Sequence, residues 1–341
     1  DLALAAEAAL DVDRLLQAHT EIADDLRGDC PQASSNRPAG PRSTCCRENV
    51  PTPEMPPDPF DPFDDAGVDV AEAFMRLVVR YFAATADGGG RVSTPLTPAE
   101  LARRFDEPLP RNGTSIAAVL ARLEHEVLPD CNRLTHPRSM GHQVSSPLPV
   151  AVWTEALTAA LNQSGAVWEM SPVGTAIETR VIRWMCDLAG LGPEAGGTFT
   201  SGGTEATFAG LLAARQAAIP GVWTHGVGAN PPVVVCGEHA HYGVARAIGE
   251  LGLGTDRAVT IPSRHFAMDV GALERELDRL RRDGRTVMAV VATAGTTATG
   301  SFDDLEAIGR LCAAHGVWLH VDGAHGASAL LSDTHRHRLA G

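Results

Sequence analysis

The chain has 341 residues, and all 28 of its Lys+Arg positions are arginine, so it can supply no P-loop lysine, lysine general base or Schiff-base lysine. Against these stand 42 Asp+Glu, for a formal net charge of −14, which argues against nucleic acid or an anionic membrane as the main partner. Hydrophobic residues at 44% and charged residues at 21% give the balance of a soluble globular protein, and no apolar run approaches a membrane span.

Residues 2–26 carry apolar side chains at helical spacing and read as an amphipathic helix. From residue 28 to about 65 nine prolines punctuate the chain, which predicts an extended or flexible segment without a packed core. Together residues 1–66 form a first region. A second, residues 67–160, is expected to be helical and dimer-forming, with helices over 71–84, 115–127 and 149–161. Within it Thr97-Pro98-Ala99-Glu100 is an N-cap, a proline at the first helical position and an acid in the first turn. Residues 129–149, rich in Pro, Ser, His and Gly, read as a loop. A further helix is expected over 173–188.

The third region, residues 161–341, then alternates. The runs 232–236, 258–261, 287–292 and 317–321 are short, β-branched-rich and nearly continuously apolar, and helical segments over 242–251, 270–282 and 303–315 separate them. This is the pattern of βαβ units around a mostly parallel sheet, in an α/β fold with ligands outside the carboxyl ends of the strands. Seven cysteines (30, 45, 46, 131, 186, 236 and 312) form no C-x-x-C pair and follow no secretory signal, which predicts reduced thiols in a cytoplasmic protein. The chain starts at Asp1 and stops at Gly341 in a polar stretch, so both ends read as interrupted.

Four segments carry chemistry. Residues 200–207 (TSGGTEAT) run into a helical stretch over 208–218; the glycines permit close backbone approach, and a helix start attracts an anion such as phosphate. The charge of Glu205 must then point away from that anion. Asp322 leaves a strand in the run Asp322-Gly323-Ala324-His325, where a protonated heterocyclic nitrogen would satisfy its carboxylate; the bland alternative is a helix cap or an arginine pair. The strand over 287–292 ends in small hydroxyl residues up to Thr297. His239-Ala240-His241-Tyr242 follows the first strand run and offers a ring that can stack; no acid or cysteine completes a metal set around it at familiar spacing. His335-Arg336-His337 reads as a solvated turn. An anion cradle, a stacking ring, a hydroxyl and a carboxylate at successive strand ends suit pyridoxal 5′-phosphate.

From about residue 68 to 341 the chain resembles the group II pyridoxal-phosphate-dependent amino-acid decarboxylases. The resemblance rests on His136-Pro137-Arg138, Gly141-His142-Gln143, Glu169-Met170-Ser171-Pro172, residues 200–207, 239–242 and 292–297, His320-Val321-Asp322, and the closing residues 335–341. It implies the aspartate-aminotransferase fold (fold type I), with a mostly parallel, seven-stranded-type sheet in the large domain. Gly203 and Thr204 would then hold the cofactor phosphate, His241 would stack on the ring and act in catalysis, and Asp322 would pair with the ring nitrogen. Ala324 would cover the opposite ring face, Thr297 would lie near the cofactor hydroxyl, and His142 and Gln143 would lie near the substrate. The resemblance also implies a homodimer, loss of CO2 from an amino acid and reprotonation at Cα. Candidate substrates are glutamate, aspartate, cysteine sulfinate and diaminobutyrate. The family's Schiff-base lysine, small C-terminal domain and mobile loop would follow Gly341. Rival readings are a lysine-less homologue that binds the cofactor or dimerises without catalysis, and an aminotransferase or carbon–carbon lyase of the same fold.

Overall fold

The structure is a computed structural model that describes residues 65–142 and 144–341. The helix expected over 2–26 and nearly all of the proline-rich segment lie outside the described residues. Contacts divide the described chain into one unit ending at Asn162 and another from Gln163 to Gly341.

In the first unit, α1 spans Asp65–Ala86 and starts six residues before the expected position. α2 (Pro98–Arg104) opens on the expected cap: the Thr97 hydroxyl accepts from the Glu100 N–H (3.3 Å), while the Glu100 carboxylate accepts from the Thr97 N–H (2.7 Å). α3 runs only over Ile116–Arg122, then widens into a π turn at Leu123–Val127 and a 3-10 turn at Leu128–Asp130. The expected single helix to residue 127 fails because Pro129 has no N–H, and its ring excludes the carbonyl one turn back. α4 (Pro149–Leu161) matches expectation and ends at Asn162, whose left-handed conformation (φ 45°) an asparagine tolerates well.

The second unit begins with α5 (Pro172–Leu188), α6 (Gly203–Ala218) and the short α7 (Val222–His225). Then come β1 (Val233–Gly237), α8 (Gly243–Glu250), β2 (Ala258–Ile261), and a small antiparallel pair, β3 (Ser263–Arg264) and β4 (Ala267–Met268). It closes with α9 (Val270–Arg282), β5 (Val287–Thr293), α10 (Leu305–His315) and β6 (Trp318–Asp322). β2, β1, β5 and β6 lie in that order and pair in parallel, so the expected parallel sheet has four strands among the described residues.

Side chains alternate across this sheet. Val233, Val235, Val290 and Ala292 pack with Leu273, Leu277 and Leu280 of α9 and Ile308 of α10. Val234, Cys236, Ala289 and Val291 face the other way, onto Leu211 and Ala214 of α6 and Val244, Ala247 and Ile248 of α8. His320 is in register with Val291 and Asp322 with Thr293, so both project from the α6/α8 face. On the α9/α10 side the buried Asp303 carboxylate accepts from the Met268 and Thr293 N–H groups, each at 2.7 Å, which ties the β4 hairpin to the end of β5. Cys186, Cys236 and Cys312 are buried and free, as small core hydrophobes.

Candidate functional site

The carboxyl ends of β1, β5 and β6 meet the amino ends of α6 and α8 on one face of the sheet. α6 starts at Gly203, five residues before the expected apolar stretch. Its N-cap, Gly202, is extended (φ 170°) and offers no side-chain cap, so first-turn N–H groups at the positive end of the helix dipole are open to an anion. Glu205 does not compete for that space. Its carboxylate is held back on Ser201, accepting from the hydroxyl (2.6 Å) and the N–H (2.8 Å). Those two bonds, the hydroxyl's first, hold the Glu205 carboxyl below the usual carboxylate range.

Two glycines set the width of the site. A Cβ on Gly203 would lie 2.8 Å from the Ala324 Cβ, so the start of α6 and the loop after β6 approach too closely for a side chain. A Cβ on Gly243 would lie 2.9 Å from His241 Nδ1 and 3.3 Å from Thr204 Oγ1, so Thr204 and His241 both lie against one backbone position. His241 Nδ1 accepts from the Gly243 N–H at 3.1 Å, so the ring proton sits on Nε2. Its ring packs on Tyr242 with centroids 4.1 Å apart, and the Arg246 guanidinium lies 5.3 Å from the Tyr242 centroid.

Asp322, at the end of β6, is half-buried. Its Oδ1 accepts from the Ala324 N–H at 3.1 Å, and no arginine pairs with it among the described residues. The loop is fixed from β5: the Ala294 N–H donates to the Asp322 carbonyl (2.8 Å), and the Gly326 N–H donates to the Ala294 carbonyl (3.0 Å). Gly203, Thr204, His241, Asp322 and Ala324 are therefore gathered at one rim. Thr297 lies exposed in the turn beyond β5, and His142 lies exposed in the first unit with φ 56°. Gln143 lies outside the described residues. Residues 335–338 form an exposed turn, as expected. Among the described residues no three His, Cys, Asp or Glu side chains gather as a metal site, and no helix is long and apolar enough to cross a membrane.

Sequence reasoning missed Gly243 and Gly210, and gave His320 no role beyond its place in the segment that ends at Asp322. The signal for His320 is its position two residues before Asp322 in a strand, hence on the same face.

Residues 98–341 match the model of the pyridoxal-dependent decarboxylase conserved domain. The chain belongs to that family. It is similar to the L-2,4-diaminobutyrate decarboxylase of Rhizobium meliloti (strain 1021), with 40% identity over 69% of this chain and 46% of the relative. It is similar to human cysteine sulfinic acid decarboxylase, with 34% identity over 72% of this chain and 50% of the relative. The chain spans about half the length of these curated relatives. Among solved structures the apo form of mouse CSAD superposes with a TM-score of 0.75 at 31% identity, covering 82% of this chain and 59% of that one. The glutamate decarboxylase domain of a diaminobutyrate-pyruvate transaminase and L-2,4-diaminobutyrate decarboxylase from Vibrio parahaemolyticus gives 0.76 at 29% identity, over 81% and 61%. The fold is that of fold type I pyridoxal-phosphate enzymes.

Proposed function

We propose that the second unit holds pyridoxal 5′-phosphate at the α6/α8 rim of the sheet and serves the decarboxylation of an amino acid. One observation carries this reading. An uncapped helix start, an imidazole and a carboxylate without an arginine partner converge where a Cβ on Gly203 or Gly243 would close the space. That donor set fits the cofactor group by group. Gly203 and Thr204 hold the phosphate through backbone N–H groups and the Thr204 hydroxyl. Asp322 accepts the ring N–H, while Ala324 offers a small apolar surface to the ring and Thr297 lies toward its hydroxyl side. His241 stacks on the other ring face, and its Nε2 proton is available for transfer at the substrate's Cα. When bound, the cofactor supplies a ring that takes up the electrons left by departing CO2.

The substrate we infer is a small acidic or amino-substituted amino acid, with L-2,4-diaminobutyrate first and cysteine sulfinate second. The identity to the Rhizobium and human relatives supports that order, and His142 and Gln143 are the residues proposed to contact it. Exposed apolar side chains on α4 (Val150, Trp153, Leu157) and α5 (Val173, Ile177, Trp184) support a homodimer, to which the region 67–160 contributes; 161–341 forms the cofactor domain. The free, buried thiols support a cytoplasmic setting. The test is CO2 release by the protein carrying this chain across diaminobutyrate, cysteine sulfinate, glutamate, aspartate and aromatic amino acids. Turnover led by diaminobutyrate is the expected result. Cofactor binding with no turnover of any of them would favour the non-catalytic reading.

A further inference from the structure

Tyr242 is a large aromatic side chain at the rim, 65% exposed, to which the cofactor reading gives no role. It immediately precedes α8, and its backbone already has helical angles (φ −56°, ψ −20°). Arg246 follows one turn on, its N–H donating to the Tyr242 carbonyl at 3.2 Å. Side chains four apart on a helix meet, and each leans toward the amino end. The Arg246 guanidinium accordingly lies 5.3 Å from the centroid of the Tyr242 ring, and it has no carboxylate partner among the described residues. The same ring meets the His241 imidazole, with centroids 4.1 Å apart and planes inclined by 40°. The Tyr242 hydroxyl makes no hydrogen bond among the described residues, so the ring rather than the oxygen carries these contacts.

The imidazole of His241 is therefore restrained in two directions. At its Nδ1 edge the Gly243 N–H donates at 3.1 Å, and the backbone there is so close that a Cβ would lie 2.9 Å away. Toward Tyr242 the centroid separation is already below the roughly 4.5–7 Å usual for aromatic pairs, so the ring cannot swing that way. The Nε2 edge has no partner among the described residues, and the side chain is partly exposed. We propose that Tyr242, together with the Arg246 guanidinium on its ring, is a positioning residue for His241. It holds the imidazole in one orientation, with Nδ1 on the Gly243 N–H and Nε2–H turned to the ligand. The inference rests on the cofactor reading above, and one arm of its test needs no cofactor.

That arm is the 15N spectrum of the histidine-labelled chain without ligand at about pH 8, above the ordinary histidine range. His241 is assigned by the signals lost in His241→Ala. The unaltered chain should show a single tautomer with the proton on Nε2. Tyr242→Ala should average the two nitrogens, and Tyr242→Phe, which keeps the ring, should leave them distinct. A single tautomer retained in Tyr242→Ala overturns the proposal. The exposure of Tyr242 leaves the fold little dependent on it, and urea unfolding of the variant should change little.

The second arm is a double-mutant cycle on pyridoxal 5′-phosphate affinity, read by equilibrium dialysis. Tyr242→Ala should weaken binding about three- to tenfold and Arg246→Met about twofold, while Tyr242→Phe stays within about twofold. In the His241→Ala background Tyr242→Ala should have no further effect. An equal loss in both backgrounds would mean that Tyr242 acts without His241, which also overturns the proposal. An unaltered chain that does not bind pyridoxal phosphate overturns the cofactor reading instead, and the ligand-free spectra then decide the role of Tyr242 by themselves.

Discussion

The two faces of the same four strands are built for different tasks. On the α9/α10 face, leucines from α9 and valines from β1 and β5 are almost wholly excluded from solvent, and the buried charge, Asp303, is spent on two backbone N–H groups. On the α6/α8 face the apolar layer is equally dry below, but toward the strand ends it gives way to His320, Asp322, Thr204 and His241. There glycines stand where a side chain would fill the gap, and a helix start is left without a side-chain cap. The glycine gaps and the uncapped helix start make this the rim at which the proposed ligand would sit.

That contrast can be broken by substitution, starting with the largest effect. Leu277→Ala, at a side chain 1% exposed, should cost about 2–5 kcal/mol in urea unfolding while leaving pyridoxal phosphate affinity of the folded protein unchanged. A weakened affinity would mean the two faces are not independent. Asp303→Asn should cost about 1–3 kcal/mol, because the amide can turn only one acceptor toward two N–H donors; a thermal melt reads the loss. Gly203→Val should weaken cofactor binding at least about tenfold, roughly 1.4 kcal/mol, with little change in unfolding. His241→Ala should weaken it severalfold, in line with about 0.5–1.5 kcal/mol for a stacked ring, and an unaltered dissociation constant would remove His241 from the site.

The smallest effect compares the dryness of the two faces. Burial pushes the thiols of Cys236, on the α6/α8 face, and Cys312, on the other, from 9.0 up to about 11. A raised folded-state pKa contributes stability that is complete below the unfolded value and lost as pH rises through the folded one. Urea midpoints should therefore fall between about pH 9 and pH 11, and mass mapping after alkylation at pH 8 should leave both cysteines unmodified in the native chain. Rapid modification of Cys236 alone would show that the site face is wet to its base.

Much of this was legible in the sequence. The four β-branched runs and the helices between them are strong, local signals, and the Thr97 box carries its own hydrogen-bond logic. The helix over 115–127 was misread because apolar periodicity continues through a stretch whose hydrogen bonding Pro129 alters. The site was legible as residue types at strand ends, since topology alone sends Asp322, His241 and Gly203 to one rim. What was not legible depends on contact distances across elements. Gly210 looks like any helical glycine until His320 lies against it, and the turn of Glu205 onto Ser201 has no sequence signature beyond spacing.

The cofactor site is tested most directly by dialysing pyridoxal 5′-phosphate against the 341-residue chain and against a Gly203→Val, Asp322→Asn double variant, each followed by borohydride. Saturable one-to-one binding by the unaltered chain, lost in the double variant and leaving no covalent adduct because no lysine is present, is the predicted result. Binding that survives both substitutions undiminished would place the cofactor somewhere other than the α6/α8 rim.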